Sequence, residues 1–220
     1  ISGKNYDLNG ITRIIVIGAG KATPAMALAL EEILGEKITD GLITTKYGHK
    51  LPLSNIETVE CGHPVPDENG VNATLRLLQK ISKLSSDTLI ICLFSGGGSS
   101  LLPSPAEGIT LEDKQETTKL LLETGCTIDE INTIRKHISK SKGGLIAKAA
   151  HPAKIVSLIL SDVIGDKLDT IASGPTYPDN TTFRDCLGII ELYNLENKLP
   201  KRVHRLIRQR LSDKKYETPD

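Results

Sequence analysis

The chain has 220 residues, enough at about 150 residues per domain for one large domain or two small ones with a sizeable core. Hydrophobic residues make up 39% and charged residues 25%, which excludes a disordered, collagenous or coiled-coil chain. Lys plus Arg and Asp plus Glu number 27 each, Trp is absent and aromatics reach only 3%, a balance that argues against nucleic acid, anionic membranes and base stacking.

Ile14-Ile15-Val16-Ile17 is a β-branched run ending at Gly18 and predicts a buried parallel strand. Residues 22–34 have helical spacing, with Met26, Leu30, Ile33 and Leu34 on one side and Gly35 as the stop. Strands are expected over 41–45 and 56–61. A helix over 72–84 would point Leu75, Leu78, Ile81 and Leu84 inward. The most apolar strand, 88–94, runs straight into Ser95-Gly96-Gly97-Gly98-Ser99-Ser100. Thr110 with Asp113, and Thr127 with Glu130, carry the capping-box spacing of two helix starts. The second of these helices is expected to run to Gly143-Gly144, and a short alanine-rich helix follows. An apolar strand over 154–161 ends at Asp162, and helices near 183–193 and 200–211 finish the chain. Strands alternating with helices predict an α/β, three-layer, Rossmann-like fold on a mostly parallel sheet.

Cys61, Cys92, Cys126 and Cys186 lack metal-ligand or disulfide-scaffold spacing, so a reducing, cytoplasmic setting is expected. No run approaches the roughly 18 apolar residues of a membrane span, and no signal peptide is visible. The opening at Ile1 and the charged close at Asp220 suggest a domain cut from a longer protein; a processed or tag-cleaved chain is the alternative.

In open α/β sheets ligands bind beyond the carboxyl ends of the strands. Four polar, glycine-rich loops fall there: Gly18 to Lys21, Gly62 to Asp67, Ser95 to Ser100, and Ser161 to Asp166. The first places Gly20 and Lys21 at a strand-to-helix turn whose backbone N–H groups can meet an anion. A packing turn with a solvated lysine would look the same. Thr23 stands where a dinucleotide fingerprint needs its third glycine, and Ile15 where a P-loop needs its first. Three consecutive glycines flanked by Ser95, Ser99 and Ser100 read as a phosphate or carboxylate nest, with a merely flexible loop as the alternative. No hydrolase elbow fits either flanking serine. Asp162 and Asp166 can accept a hydroxyl proton or hold Mg²⁺, or simply cap a turn. Asn132, Arg135, Lys136, His137, Lys140 and Lys142 cluster on one helix and its end, with Arg135 and Lys142 two turns apart on one face, as an anion clamp or as a solvated helix end. His63 reads equally as loop packing or ligand contact. The basic stretch from Lys198 to Lys215 carries the stripe Val203, Leu206, Ile207 and Leu211 and reads as a surface helix.

These loops resemble the N-terminal domain of the class II glycerate 2-kinases, the family whose other half is the MOFRL domain. The matching stretches are Gly20-Lys21-Ala22, Tyr47-Gly48-His49, Glu60 to Asp67, Ser95 to Ser99, Ile109 to Gln115, Arg135-Lys136-His137 with Lys142-Gly143-Gly144, Ser161-Asp162 with Gly165-Asp166, and Ile171 to Thr176 before Pro178-Asp179. They run in family order over most of the chain. The resemblance implies ATP-dependent phosphorylation of D-glycerate to 2-phosphoglycerate, a reaction in which Asp162 could hold Mg²⁺. It also implies a cleft shared with a C-terminal domain of the same protein. It implies that Lys21 and Asp162 are catalytic and that a further arginine comes from that missing domain. Ile164 and Lys167 depart from the family's usual proline and paired aspartates. Gly20, Ser95 to Ser100, Arg135 and Lys142 are the expected phosphate or substrate contacts, with Asp162 and Asp166 as the metal candidates. On this reading the 220-residue chain is one half of a site and inactive alone. The rivals are an NAD(P)-dependent hydroxypyruvate reductase and a non-catalytic anion-binding module.

Overall fold

The computed structural model describes residues 3, 5–163 and 165–219; Ile164 lies outside them. In chain order the elements are β1 (Arg13–Ala19), α1 (Thr23–Leu34), β2 (Ile38–Lys46), β3 (Glu57–Cys61), α2 (Glu68–Ile81), β4 (Thr88–Ser95) and α3 (Gly98–Leu101). There follow α4 (Leu111–Glu123), α5 (Ile128–His137), α6 (Leu145–Ala150), β5 (Lys154–Leu160), α7 (Phe183–Leu192) and α8 (Lys201–Arg210). The five strands form one sheet in the order β3-β2-β1-β4-β5, and every neighbouring pair is parallel. This is the α/β architecture that the alternation of strands and helices predicts.

The alternation of side chains along each strand sorts the core into layers. Ile15 and Ile17 of β1, with Ile90, Cys92 and Phe94 of β4, pack under α2 and α6. Ile14 and Val16, with Ile91 and Leu93, face α1 on the other side. Burying each such side chain contributes roughly 1.5–3 kcal/mol. A separate helical cluster joins α4, α5, α7 and α8 around Phe183, Ile190, Val203 and Ile207, all with no exposed surface. The capping boxes expected at Thr110–Asp113 and Thr127–Glu130 are both present, and Thr182–Asp185 forms a third at α7.

Four local expectations need correction. α2 starts at Glu68, because the Asp67 carboxylate accepts the Gly70 N–H at 2.9 Å and caps it. Its buried face is Ala73, Thr74, Leu77 and Ile81, so Leu75 is exposed. Ile33 near the end of α1 is 78% exposed, because the face packed on the sheet is carried by Met26, Leu30 and Leu34, spaced four apart, and Ile33 falls to one side of it. α5 ends at His137 rather than at Gly143, and the intervening segment bridges Ser139 to Pro105. Arg135 and Lys142 therefore do not share a helix face. Among the described residues all four cysteines are free and buried, and no helix is long and apolar enough to cross a membrane.

Candidate active site at the strand switch point

From β1 the chain moves one way to β2 and β3, then returns to β4 on the other side of β1. The loops after β1 and β4 consequently diverge, and a crevice opens where the strand order reverses. β1 and β4 are in register to Ala19 opposite Phe94, so their two turns lie side by side at its floor.

The first turn is closed to an anion's approach by its own hydrogen bonds. Gly20 N–H donates to Thr44 O (3.1 Å), Lys21 N–H to Gly96 O (2.9 Å), and Ala22 N–H to the Ser95 hydroxyl (3.0 Å). Pro24 at the start of α1 has no N–H to offer. Gly20 has φ 147°, and a Cβ there would overlap Ser95. The expected anion-binding turn is thus corrected. Gly20 is the seat of Ser95, and what remains directed outward is the exposed Lys21 side chain, which has no ion pair among the described residues.

The glycine run divides the same way. Ser95 is buried and bridges Ala22 N–H and the Thr23 hydroxyl. The buried Ser100 donates to Gly97 O at 3.2 Å. Gly98 packs on Ala19 and Ala172. These three are structural members of the turn, which corrects their expected place in an open nest. Gly96, Gly97 and Ser99 are half-exposed. Gly97 is left-handed at φ 84°, and a Cβ on it would meet His63 Nε2 at 2.7 Å and lie 3.5 Å from Lys21 Cγ. Its amide has no acceptor among the described residues. The Ser99 hydroxyl pairs with Ser173 at 2.7 Å, and Ser173 donates in turn to Asn132 Oδ1 at 3.0 Å. Ala172 and Ser173 hold left-handed backbone (φ 52° and 62°), a conformation that persists only where its surroundings enforce it. Gly143 N–H to Ser173 O (3.0 Å) and Gly144 N–H to Gly174 O (2.8 Å) supply that restraint.

Asp162 enters from the end of β5, and its carboxylate lies so close to Gly96 that a Cβ there would collide with it. It is exposed and makes no side-chain hydrogen bond among the described residues. Asp166 is on the exposed turn that follows, with its backbone N–H bonded to Val163 O. Among the described residues no three His, Cys, Asp or Glu side chains gather as a metal site. His63, weighed evenly from sequence, does reach the site. Burial, then the nearby charges of Lys21 and Lys46, hold its imidazole below its ordinary pKa and so neutral at pH 7.

The basic cluster on α5 separates into structural and open members. Lys136 is buried against Asp179 at 3.2 Å. His137 is wedged between Thr133 O (2.8 Å) and Glu217 (3.2 Å), with Phe183 edge-on at 4.6 Å. Lys140 is exposed. Arg135 and Lys142 instead line a cavity of about 550 Å³, together with Ser99, Pro64 and Lys114 of α4. Lys114 was not among the candidates drawn from the sequence. Position 114 reads there as part of an amphipathic helix, and nothing local shows that its ammonium is buried.

A family described as a domain of unknown function (DUF4147) matches residues 1–208. A D-glycerate 2-kinase of Thermotoga maritima is 49% identical over 187 residues, 84% of this chain and 45% of that protein. An Agrobacterium vitis relative with a provisional hydroxypyruvate reductase name is 48% identical over 183 residues, 83% of this chain and 48% of that protein. The crystal structure of a glycerate kinase from Thermotoga maritima superposes with a TM-score of 0.86 at 47% identity, covering 94% of this chain and 48% of that one. The chain spans about half the length of the curated relatives it matches. It belongs to the DUF4147 family, and its fold is that of the glycerate kinase structure it superposes on.

Proposed function

We propose that this chain forms one wall of the active site of an ATP-dependent D-glycerate 2-kinase. The observation that carries the reading is the meeting of Lys21, His63, Gly97 and Asp162 at one switch point. Phosphoryl transfer asks a protein for in-line positioning and charge neutralisation rather than covalent help. Lys21, exposed and with no ion pair among the described residues, is free to neutralise charge on the transferring group. The Gly97 amide adds a fixed donor beside it. Asp162, with no competing side-chain hydrogen bond among the described residues, can take the proton of the glycerate 2-hydroxyl. His63 is neutral and adds no second positive charge.

Mg²⁺ is commonly held by one or two carboxylates plus substrate phosphates, so a single free carboxylate fits it. Asp162 would hold it, with Asp166 on the turn that follows as the second candidate. When bound, Mg²⁺ neutralises phosphate charge. The other half of the relatives' length would supply the second wall of the cleft, including the arginine that the family resemblance implies. The four free thiols support a reducing, cytosolic setting.

The hydroxypyruvate reductase name of one relative finds less support. A dinucleotide pyrophosphate needs the N–H groups and the open glycine of the first βα turn, and here Thr44, Gly96 and Ser95 occupy them. The test is D-glycerate-dependent ADP release, measured on this chain alone and on the chain joined to the remainder of its cleft. Activity is expected only from the joined form, since one missing arginine of this kind can be worth about 10³-fold. Glycerate-independent ATP hydrolysis only, or NAD(P)H oxidation with hydroxypyruvate, would overturn the reading.

A further inference from the structure

The cavity behind the glycine turn contains three cations that no carboxylate among the described residues answers. Lys142 is 1% exposed and its Nζ donates to Ser99 O at 2.7 Å. Lys114 is 6% exposed and its Nζ donates to Ile138 O at 3.1 Å. Arg135, half-buried between them, makes no hydrogen bond or ion pair among the described residues. An ammonium has three donors and a guanidinium five, so most of the donors here are unused. The fold does pair a buried lysine where the lysine is structural. Lys136, equally buried one residue from Arg135, has Asp179 at 3.2 Å. Burying like charges together without a counterion is unfavourable, and such a cluster is retained where an anion completes it.

We propose that this cavity binds the phosphate chain of the nucleoside triphosphate, with Lys114, Arg135 and Lys142 as its contacts. The proposal rests on the phosphotransferase reading and adds to it the place of the nucleotide. Three cations match a polyphosphate, whereas the single carboxylate of glycerate would leave two of them unanswered. The walls formed by Pro64, Val65, Pro66, Pro103 and Leu122 are apolar, and a volume of about 550 Å³ is that of a cofactor-sized ligand rather than a three-carbon acid. The remaining charged groups on the cavity are Lys119, Glu116 and Glu123; Lys119 and Glu123 pair with each other at 3.8 Å on the exposed face of α4. Ser99 ties the cavity to the catalytic crevice, because its carbonyl holds Lys142 and its neighbour Gly97, two residues earlier, carries Lys21 and His63. Burial and Arg135 push the Lys114 ammonium down to about 7, and burial with both neighbours pushes Lys142 well down. An arriving anion reverses that, so binding should take up protons.

The test is calorimetric titration of the chain at pH 7.5, in two buffers of different ionisation enthalpy, with ATP, inorganic tripolyphosphate, 2-phosphoglycerate and D-glycerate as separate probes. ATP and tripolyphosphate should bind with proton uptake and compete with each other, and D-glycerate should displace neither. Lys142→Met and Arg135→Gln should each weaken both by about 10-fold or more, the scale of one charge-assisted hydrogen bond. The exposed control Lys37→Ala should change neither. Lys142→Met orphans no carboxylate but leaves the Ser99 carbonyl without its donor, so if it fails to fold, Arg135→Gln carries the test. Unchanged tripolyphosphate binding in a folded Arg135→Gln variant overturns the proposal, as does tighter competition by 2-phosphoglycerate than by ATP. Polyphosphate binding lost in the variants but no glycerate-dependent turnover in the joined enzyme would sink the kinase reading and leave the site. Turnover with nucleotide binding indifferent to the three cations would do the reverse.

Discussion

The Ser95 hydroxyl occupies the space in which a Cβ on Gly20 would lie, and from there it accepts the Ala22 N–H at 3.0 Å. One contact thereby joins the turns after β1 and β4 across 73 residues of chain. Gly20→Ala must displace Ser95 and adopt φ 147°. Overpacking and a strained backbone each cost about 1–3 kcal/mol. The variant should therefore lose roughly 3 kcal/mol or more in denaturant unfolding. A loss under about 1 kcal/mol would show that the turn relaxes without this lock.

Lys21 sits one residue further on yet should behave oppositely. Its side chain is exposed and has no ion pair among the described residues, so Lys21→Ala should leave the melting temperature within a degree or two. If its ammonium meets the transferring phosphoryl group, kcat/KM of the joined enzyme should fall by about 100-fold or more, the effect of removing one aimed donor. Near-normal turnover would refute the catalytic role.

Asp162→Asn retains the shape against Gly96 and removes the charge. Turnover should fall roughly 100-fold whether the carboxylate takes the hydroxyl proton or holds Mg²⁺. A Mg²⁺ titration separates the two, since only a lost ligand raises the half-saturating concentration. Full activity at every Mg²⁺ concentration would reduce Asp162 to a turn residue.

The buried cations also set a pH dependence. Lys114 is depressed from its ordinary 10.5 to about 7, so between those values the unfolded chain holds a proton that the native chain does not. Stability therefore rises with pH above 7, and Lys142 acts in the same direction. Cys61 and Cys92, raised to about 12 by burial, oppose this once unfolded thiols begin to ionise near pH 9. The unfolding midpoint in denaturant should increase from pH 7 to about 8.5, and Lys114→Met should flatten the increase. A midpoint that falls over this range in the parent chain would show that Lys114 stays charged in the fold.

What the amino-acid sequence determined by itself was local or rested on connectivity. A capping box needs partners three residues apart, so Thr110 with Asp113 and Thr127 with Glu130 mark the starts of α4 and α5 by spacing alone. Apolar β-branched runs separated by helices dictate a parallel sheet, and a parallel sheet puts all its carboxyl-end loops on one edge; that is why Lys21, Gly97 and Asp162 can be gathered from sequence. Tertiary structure decided what each side chain does there. Whether Ser95 faces a ligand or locks Gly20 depends on the pairing of β1 with β4, distant segments of the chain. Whether Leu75 or Leu77 is buried depends on how far α2 is rotated over the sheet, which helical spacing alone leaves free. Whether a lysine is paired, like Lys136, or left waiting, like Lys142, depends on a carboxylate arriving or failing to arrive from another part of the chain. Burial and charge pairing are sums over neighbours in space, and only the folded chain brings those neighbours together.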